Sequence, residues 1–207
     1  MHALPQILAA LLSFAGAPLF RVDPVPAEMV QKITAFTWHK GCPVAPADLR
    51  AVTVSYWDYN YDQQQGVLIV HKDVADEAMG LFRQLFDDKF PIASVSPVEN
   101  FGGSDEASMA ANNTSAFNCR DTTGRPGVFS NHSWGRAIDI NPLTNPYVKG
   151  DIVLPPLGRE YLNRTQTYPG FIGVNGLVVK IFEAAGWTWG GRWKDRQDYQ
   201  HFEKPAR

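Results

Sequence analysis

Residues 130–139 read SNHSWGRAID, and the kind of fold to expect turns on this stretch. Arg136–Ile140 (RAIDI) reads as a short strand, led into by a Gly-containing turn. Gly135 lets the backbone turn tightly just before it. His132 and Asp139 then stand on either side of that turn, in position to offer two ligands to one metal ion. A catalytic zinc typically takes three protein ligands from histidine and carboxylate and keeps a fourth position for water. Alone, the pair is weak, because a surface histidine seven residues before a surface aspartate arises by chance.

Working outward, the third ligand is sought among the remaining histidines, His2, His39, His71 and His201. His201 lies in the closing segment DYQHFE, residues 198–203, which reads as a final strand. Asp198 precedes it by three residues and is the candidate general base. On a strictly alternating strand Asp198 and His201 would face opposite sides, so a bulge or turn is expected between them. A solvated aspartate beside a structural histidine is the competing reading of that spacing.

The rest of the chain supplies a scaffold. Ala51–Trp57 and Gly66–His71 read as strands joined by a polar loop, DYNYDQQQ. Asp73 is placed to cap a helix running to about Asp88, with Val74, Ala78, Phe82 and Leu85 at helical spacing. Strands are expected at Ile92–Val98 and Phe117–Arg120. The Pro-, Gly- and Asn-rich run from Leu143 to Gly176 is expected to shape a site or a lid. Asn175 can cap a second helix carrying Leu177, Val178, Ile181 and Phe182, and Gly186 is placed to end it. There is no internal repeat. Helices and strands that do not alternate regularly imply an α+β single domain, an antiparallel sheet with flanking helices.

Composition narrows the function classes. The 207 residues are 44% hydrophobic and 19% charged, with a formal net charge of −2. This is a globular composition without the basic footprint of a nucleic-acid binder, so no nucleic-acid partner is expected. Residues 1–17, MHALPQILAALLSFAGA, hold no Asp, Glu, Lys or Arg and end in small residues, as a secretory signal peptide does. The usual basic start is missing, and a buried N-terminal helix is the alternative. No other stretch suits a membrane span. Residues 18–39 form a proline-bearing lead-in, and residues 40–207 the main domain. In an exported protein Cys42 and Cys119 are expected to pair, with two separate buried thiols as the alternative. Asn112, Asn113, Asn131 and Asn163 each begin an N-x-S/T pattern. A glycan on Asn131 would obstruct His132, so that position is expected to be bare, which suits a bacterial envelope protein.

Taken together, SNHSWGRAID and DYQHF resemble the S-x-H-x-x-G-x-A-x-D and D/E-x-x-H elements of the zinc D-Ala-D-Ala carboxypeptidase and L-alanyl-D-glutamate peptidase family. NNTSAFNCR and WTWGGRWKDRQDYQHFE are similar to its carboxypeptidase-like branch, so the similarity runs from about Lys40 to Phe202. The resemblance implies a hedgehog/DD-peptidase-like fold and zinc held by His132, Asp139 and His201. It implies Asp198 as catalytic carboxylate, Arg120 as catalytic and substrate-binding cation, Ser115 as its helper, and Ser130 and Gly135 as supports of the metal loop. Its implied substrates are peptidoglycan stem peptides, met by a monomer in the periplasm, the cell envelope or outside the cell. Of Trp187, Trp189 and Trp193, packing accounts for one or two. Trp189 is the one assigned here to the substrate cleft. Two other classes compete: a non-catalytic zinc-binding module that recognises a partner, and a serine hydrolase using Ser130 or Ser133 with His132. The latter lacks a G-x-S-x-G elbow.

Overall fold

The structure is a computed structural model that describes residues 16–205. The expected signal segment therefore lies, except for its last two residues, outside the described residues. Among the described residues the order of elements is first β1 (Arg21–Pro24), α1 (Ala27–Phe36), β2 (Leu49–Trp57), β3 (Gln63–His71) and α2 (Ala75–Asp87). It continues through β4 (Ser94–Val95), α3 (Asp105–Ala110), β5 (Asn113–Thr114), β6 (Asp121–Thr122), β7 (Arg125–Phe129) and β8 (Ala137–Asp139). It closes with β9 (Tyr147–Lys149), β10 (Ile152–Leu154), α4 (Leu177–Ala184), β11 (Thr188–Trp189), β12 (Gln197–Asp198) and β13 (His201–Glu203).

The period of two along the β2–β3 hairpin explains where the core sits. Strand neighbours point to opposite faces, and both faces of this hairpin are covered. Val52, Val54 and Tyr56 with Leu68 and Val70 join a cluster that includes Ala78, Phe82 and Leu85 of α2. Leu49, Ala51 and Ile69 turn the other way, to Ile33 of α1, Phe117 and Cys119. The helical stripe read on α2 is thus core packing.

Cys42 and Cys119 form the expected disulfide, with their Cα atoms 6.0 Å apart. It closes a separation of 77 residues, a loop whose cross-linking stabilises by about 4 kcal/mol on chain-entropy grounds. The cross-link also pins the residue before Arg120 against the end of α1, where Cys119 N donates to Thr37 O at 2.9 Å.

Several local expectations are corrected. The lead-in is built into the fold, because β1 pairs antiparallel with β2 and α1 follows directly. Asp73 does not cap α2. A tight turn at Lys72–Val74 intervenes, His71 Nδ1 accepts from Asp73 N at 3.2 Å, and the Asp73 carboxylate faces Arg136 at 3.3 Å. Of Ile92–Val98 only β4 pairs, and it pairs parallel to β5. Phe117–Arg120 forms no strand because Phe117 N and Cys119 N donate to two unrelated segments, at Ile69 O and Thr37 O. Gly176, rather than Asn175, occupies the start of α4. Its end is as expected: Gly186, at φ 81°, donates to Glu183 O and Trp187 N donates to Phe182 O, a Schellman closure. Trp187 then packs edge-on against Phe182 at 5.6 Å.

In place of one antiparallel sheet the described residues make three three-stranded sheets and two two-stranded ribbons, all antiparallel except β4–β5. They form one compact α+β domain. No helix among the described residues is long and apolar enough to cross a membrane.

Candidate metal centre

Four short segments aim polar side chains at one point. β13 pairs antiparallel with β8, and His201 lies directly opposite Asp139 while Phe202 lies opposite Ile138. Residues directly opposite share a face, so one pair meets at the cleft and the other enters the core, where Ile138 and Phe202 are fully buried. His132 arrives on the turn Asn131–Trp134, whose first turn is closed by Ser130 Oγ accepting from His132 N. Gly135 ends that turn at φ 63°, and a Cβ there would stand 2.7 Å from His71 N. Glycine is required at this position on both counts.

The donor set has a definite polarity. His132 Nδ1 lies 2.6 Å from Ala116 O; a carbonyl only accepts, so this nitrogen carries the hydrogen and Nε2 presents its lone pair. His201 Nε2 lies 3.0 Å from the Glu203 carboxylate, which leaves Nδ1 as that ring's lone pair. These two nitrogens are 3.1 Å apart. The Asp139 oxygens stand 3.1 Å from His132 Nε2 and 2.9 Å from His201 Nδ1. With His201 neutral, three buried acceptors converge, an arrangement that calls for a cation, either a metal ion or the proton that His201 takes up in its place. These three residues could together hold a metal ion.

Electrostatics point the same way. Burial opposes a charge on His201, but its hydrogen bonds to Asp139 and Glu203 outweigh that and push its pKa up to about 10. Burial would raise the Asp139 pKa, yet the flanking imidazoles hold it far below the usual carboxylate range. Glu203, which the sequence reading passed over, orients His201 and is itself steadied by Asn131 Nδ2 at 2.7 Å.

Asp198 reaches the cleft by the break expected between it and His201: β12 pairs with β9, and the chain bends at 199–200 before β13 begins. Gly190 backs against it, where a Cβ would lie 2.8 Å from Asp198 Cβ. Burial pushes the Asp198 pKa up to about 6, moderated by the charge of His201 and reinforced by Asp139. Its Oδ1 is buried without a hydrogen-bond partner.

Arg120 lines the same cleft, a concavity of about 280 Å³. One end of its guanidinium pairs with Asp105 at 2.9 Å, while Nε is buried and unpartnered. Its backbone is clamped to the metal turn by Ser133 Oγ, which accepts from Arg120 N and donates to Arg120 O. That engagement, with Ser133 fully buried, removes Ser133 as a serine nucleophile, and His132 Nδ1 is committed to Ala116.

Two residues expected at the substrate cleft are placed elsewhere. Trp189 is 1% exposed, stacks with Phe202 and donates from Nε1 to Tyr199 O; its ring belongs to the core. Trp193 lines the cleft instead, its ring 5.3 Å from that of His201 and covered by Arg196 at 4.2 Å. Both follow the same short run, and only the turn at Gly190–Arg192 separates the inward tryptophan from the outward one. Ser115 is buried and meets the site through its backbone, exchanging hydrogen bonds with Asp139 N and O at 2.9 and 3.1 Å.

Residues 123–204 match the family model described as D-alanyl-D-alanine carboxypeptidase, which bears out the family resemblance drawn from the sequence. The match is narrower than the span from Lys40 expected above. It contains His132, Asp139, Asp198 and His201, whereas Arg120 and Ser115 lie before it. No curated protein and no solved structure matches the chain.

Proposed function

We propose, from the match over residues 123–204, that this protein is an exported zinc peptidase that cuts peptidoglycan stem peptides. The bond cut is the terminal D-Ala–D-Ala bond or the L-Ala–D-Glu bond. One observation carries the reading: two imidazole lone pairs and a carboxylate converge beside a buried, unpartnered carboxylate of raised pKa. A structural site needs only the first three. Imidazole and carboxylate together suit zinc. Zinc held there supplies Lewis acidity, acidifying water and polarising a carbonyl.

The chain's own groups do the rest. Asp198 Oδ1 takes a proton from the attacking water and returns it to the departing amine nitrogen, acting as general base and then general acid. A pKa near 6 suits both halves of that task near neutral pH. Arg120 directs Nε–H towards negative charge developing on the substrate or towards a substrate carboxylate. Ala116 O and Glu203 hold the two rings in the tautomers that leave their lone pairs facing inward. Trp193 forms one wall of the cleft. The disulfide and the apolar stretch at residues 7–15 support a place outside the cytoplasm.

The test is digestion of purified muropeptides with mass analysis of the products, run with chelator and after zinc is restored. Loss of a single D-Ala, or cleavage after L-Ala, names the bond. Full activity in chelator, in protein shown to be free of metal, would sink the reading.

A further inference from the structure

Four buried side-chain atoms lack a hydrogen-bond partner among the described residues: Glu99 Oε2, Arg120 Nε, Asp198 Oδ1 and Gln200 Oε1. Three of them belong to residues that line the metal cleft. Arg120 and Asp198 already have work there, and Gln200 has none. Gln200 is 2% exposed and sits in the bend between β12 and β13, where its backbone carbonyl accepts from Ile140 N at 3.0 Å. The backbone at this position is therefore secured without help from the side chain. A buried amide oxygen left unpaired destabilises a protein, whereas an apolar side chain of the same shape would not. Such an atom in a cleft calls for an explanation, and a ligand that completes the bond is one.

We propose that Gln200 is a substrate-binding residue whose side-chain amide pairs with a backbone amide of the bound peptide. The inference rests on the peptidase reading above. A carboxamide carries one acceptor and two donors in a plane, the same groups that a peptide bond presents. It is also uncharged. Beside Asp198 and Asp139 a carboxylate would add repulsion, and a cation would compete for the acceptors that the metal needs. Gln200 thus reads the peptide backbone and is indifferent to the charge of the side chains, which leaves that task to Arg120.

The experiment compares wild type with Gln200→Met, both loaded with zinc, on the stem peptide that the wild type cuts. Methionine keeps the length of the side chain and removes its polar atoms. KM is expected to rise about tenfold, with kcat within about twofold, zinc content unchanged and Tm equal or higher. The unchanged or raised Tm separates this role from a structural one. A lower Tm would show a side chain that holds the fold, and would overturn the proposal. So would an unchanged KM in a folded variant, or a loss confined to kcat. A zinc-loaded wild type without turnover overturns the peptidase reading and this inference with it. Wild-type turnover with an unaltered KM in the variant overturns the inference alone.

Discussion

The β2–β3 hairpin with α2 and the segment from β8 to β13 are built on opposite plans. The first has two strands of nine residues in continuous register and a thirteen-residue helix on one face. None of β8 to β13 exceeds three residues, and the cleft they help to form keeps polar atoms unpaired. Long strands bury alternate residues on two faces and make a rigid scaffold. Short strands that change direction every few residues gain little from pairing, but they can bring His132, Asp139, Asp198 and His201 to one point. Stability is concentrated in the regular region, and chemistry in the region where local order is poor.

Substitutions in the two regions should therefore separate activity from stability. The largest effect is expected from Asp198→Asn: kcat falls by about 10²–10⁴-fold while the metal content measured by atomic emission stays the same. Burial makes the ionised carboxylate the strained form, so the Tm of this variant should not fall. The same shift sets a pH profile. A base must be ionised, and a neighbouring cation favours ionisation, so kcat/KM should rise with pH through a limb at or below about 6. A limb well above 6 would point to a different base.

Phe82→Ala probes the other region. Phe82 is 1% exposed within the α2 packing, and its truncation should cost about 3–5 kcal/mol in urea unfolding. Folded protein should bind metal as wild type does. Weaker metal binding in a fully folded Phe82→Ala would break the division of labour argued here.

The smallest expected effect is at the edge of the site. Glu203→Ala removes the carboxylate that orients His201, and metal affinity should drop about 10–100-fold in competition with a chromophoric chelator. The metal-free protein should unfold at a somewhat lower urea concentration, because His201 loses one of the two carboxylates that hold its charge. A larger change there than in metal affinity would make Glu203 part of the scaffold.

Residue patterns of short range were legible in the sequence. The alternation in Ala51–Trp57, the stripe on α2, the stop at Gly186 and the turn at Gly135 depend on a few neighbouring residues, and each is found. The proline-bearing stretch before β2 concealed β1 and α1, because their stability comes from pairing with β2 and from burying Ile33 against the far face of the hairpin. The break between Asp198 and His201 was deducible, since both could not otherwise face one cleft.

The resemblance of the two sequence motifs pointed to His132, Asp139 and His201 as a ligand set, and the fold brings those three side chains together. Tertiary structure alone decided which neighbours assist. Glu203, Ser133, Trp193 and Gln200 carry no periodic mark, and Trp189 and Trp193 differ only in which side of a three-residue turn they leave. The physical reason is range: backbone period and turn geometry act over a few residues, while the contact between His132 and His201 joins positions 69 apart. What lines that contact is settled by how distant strands pack.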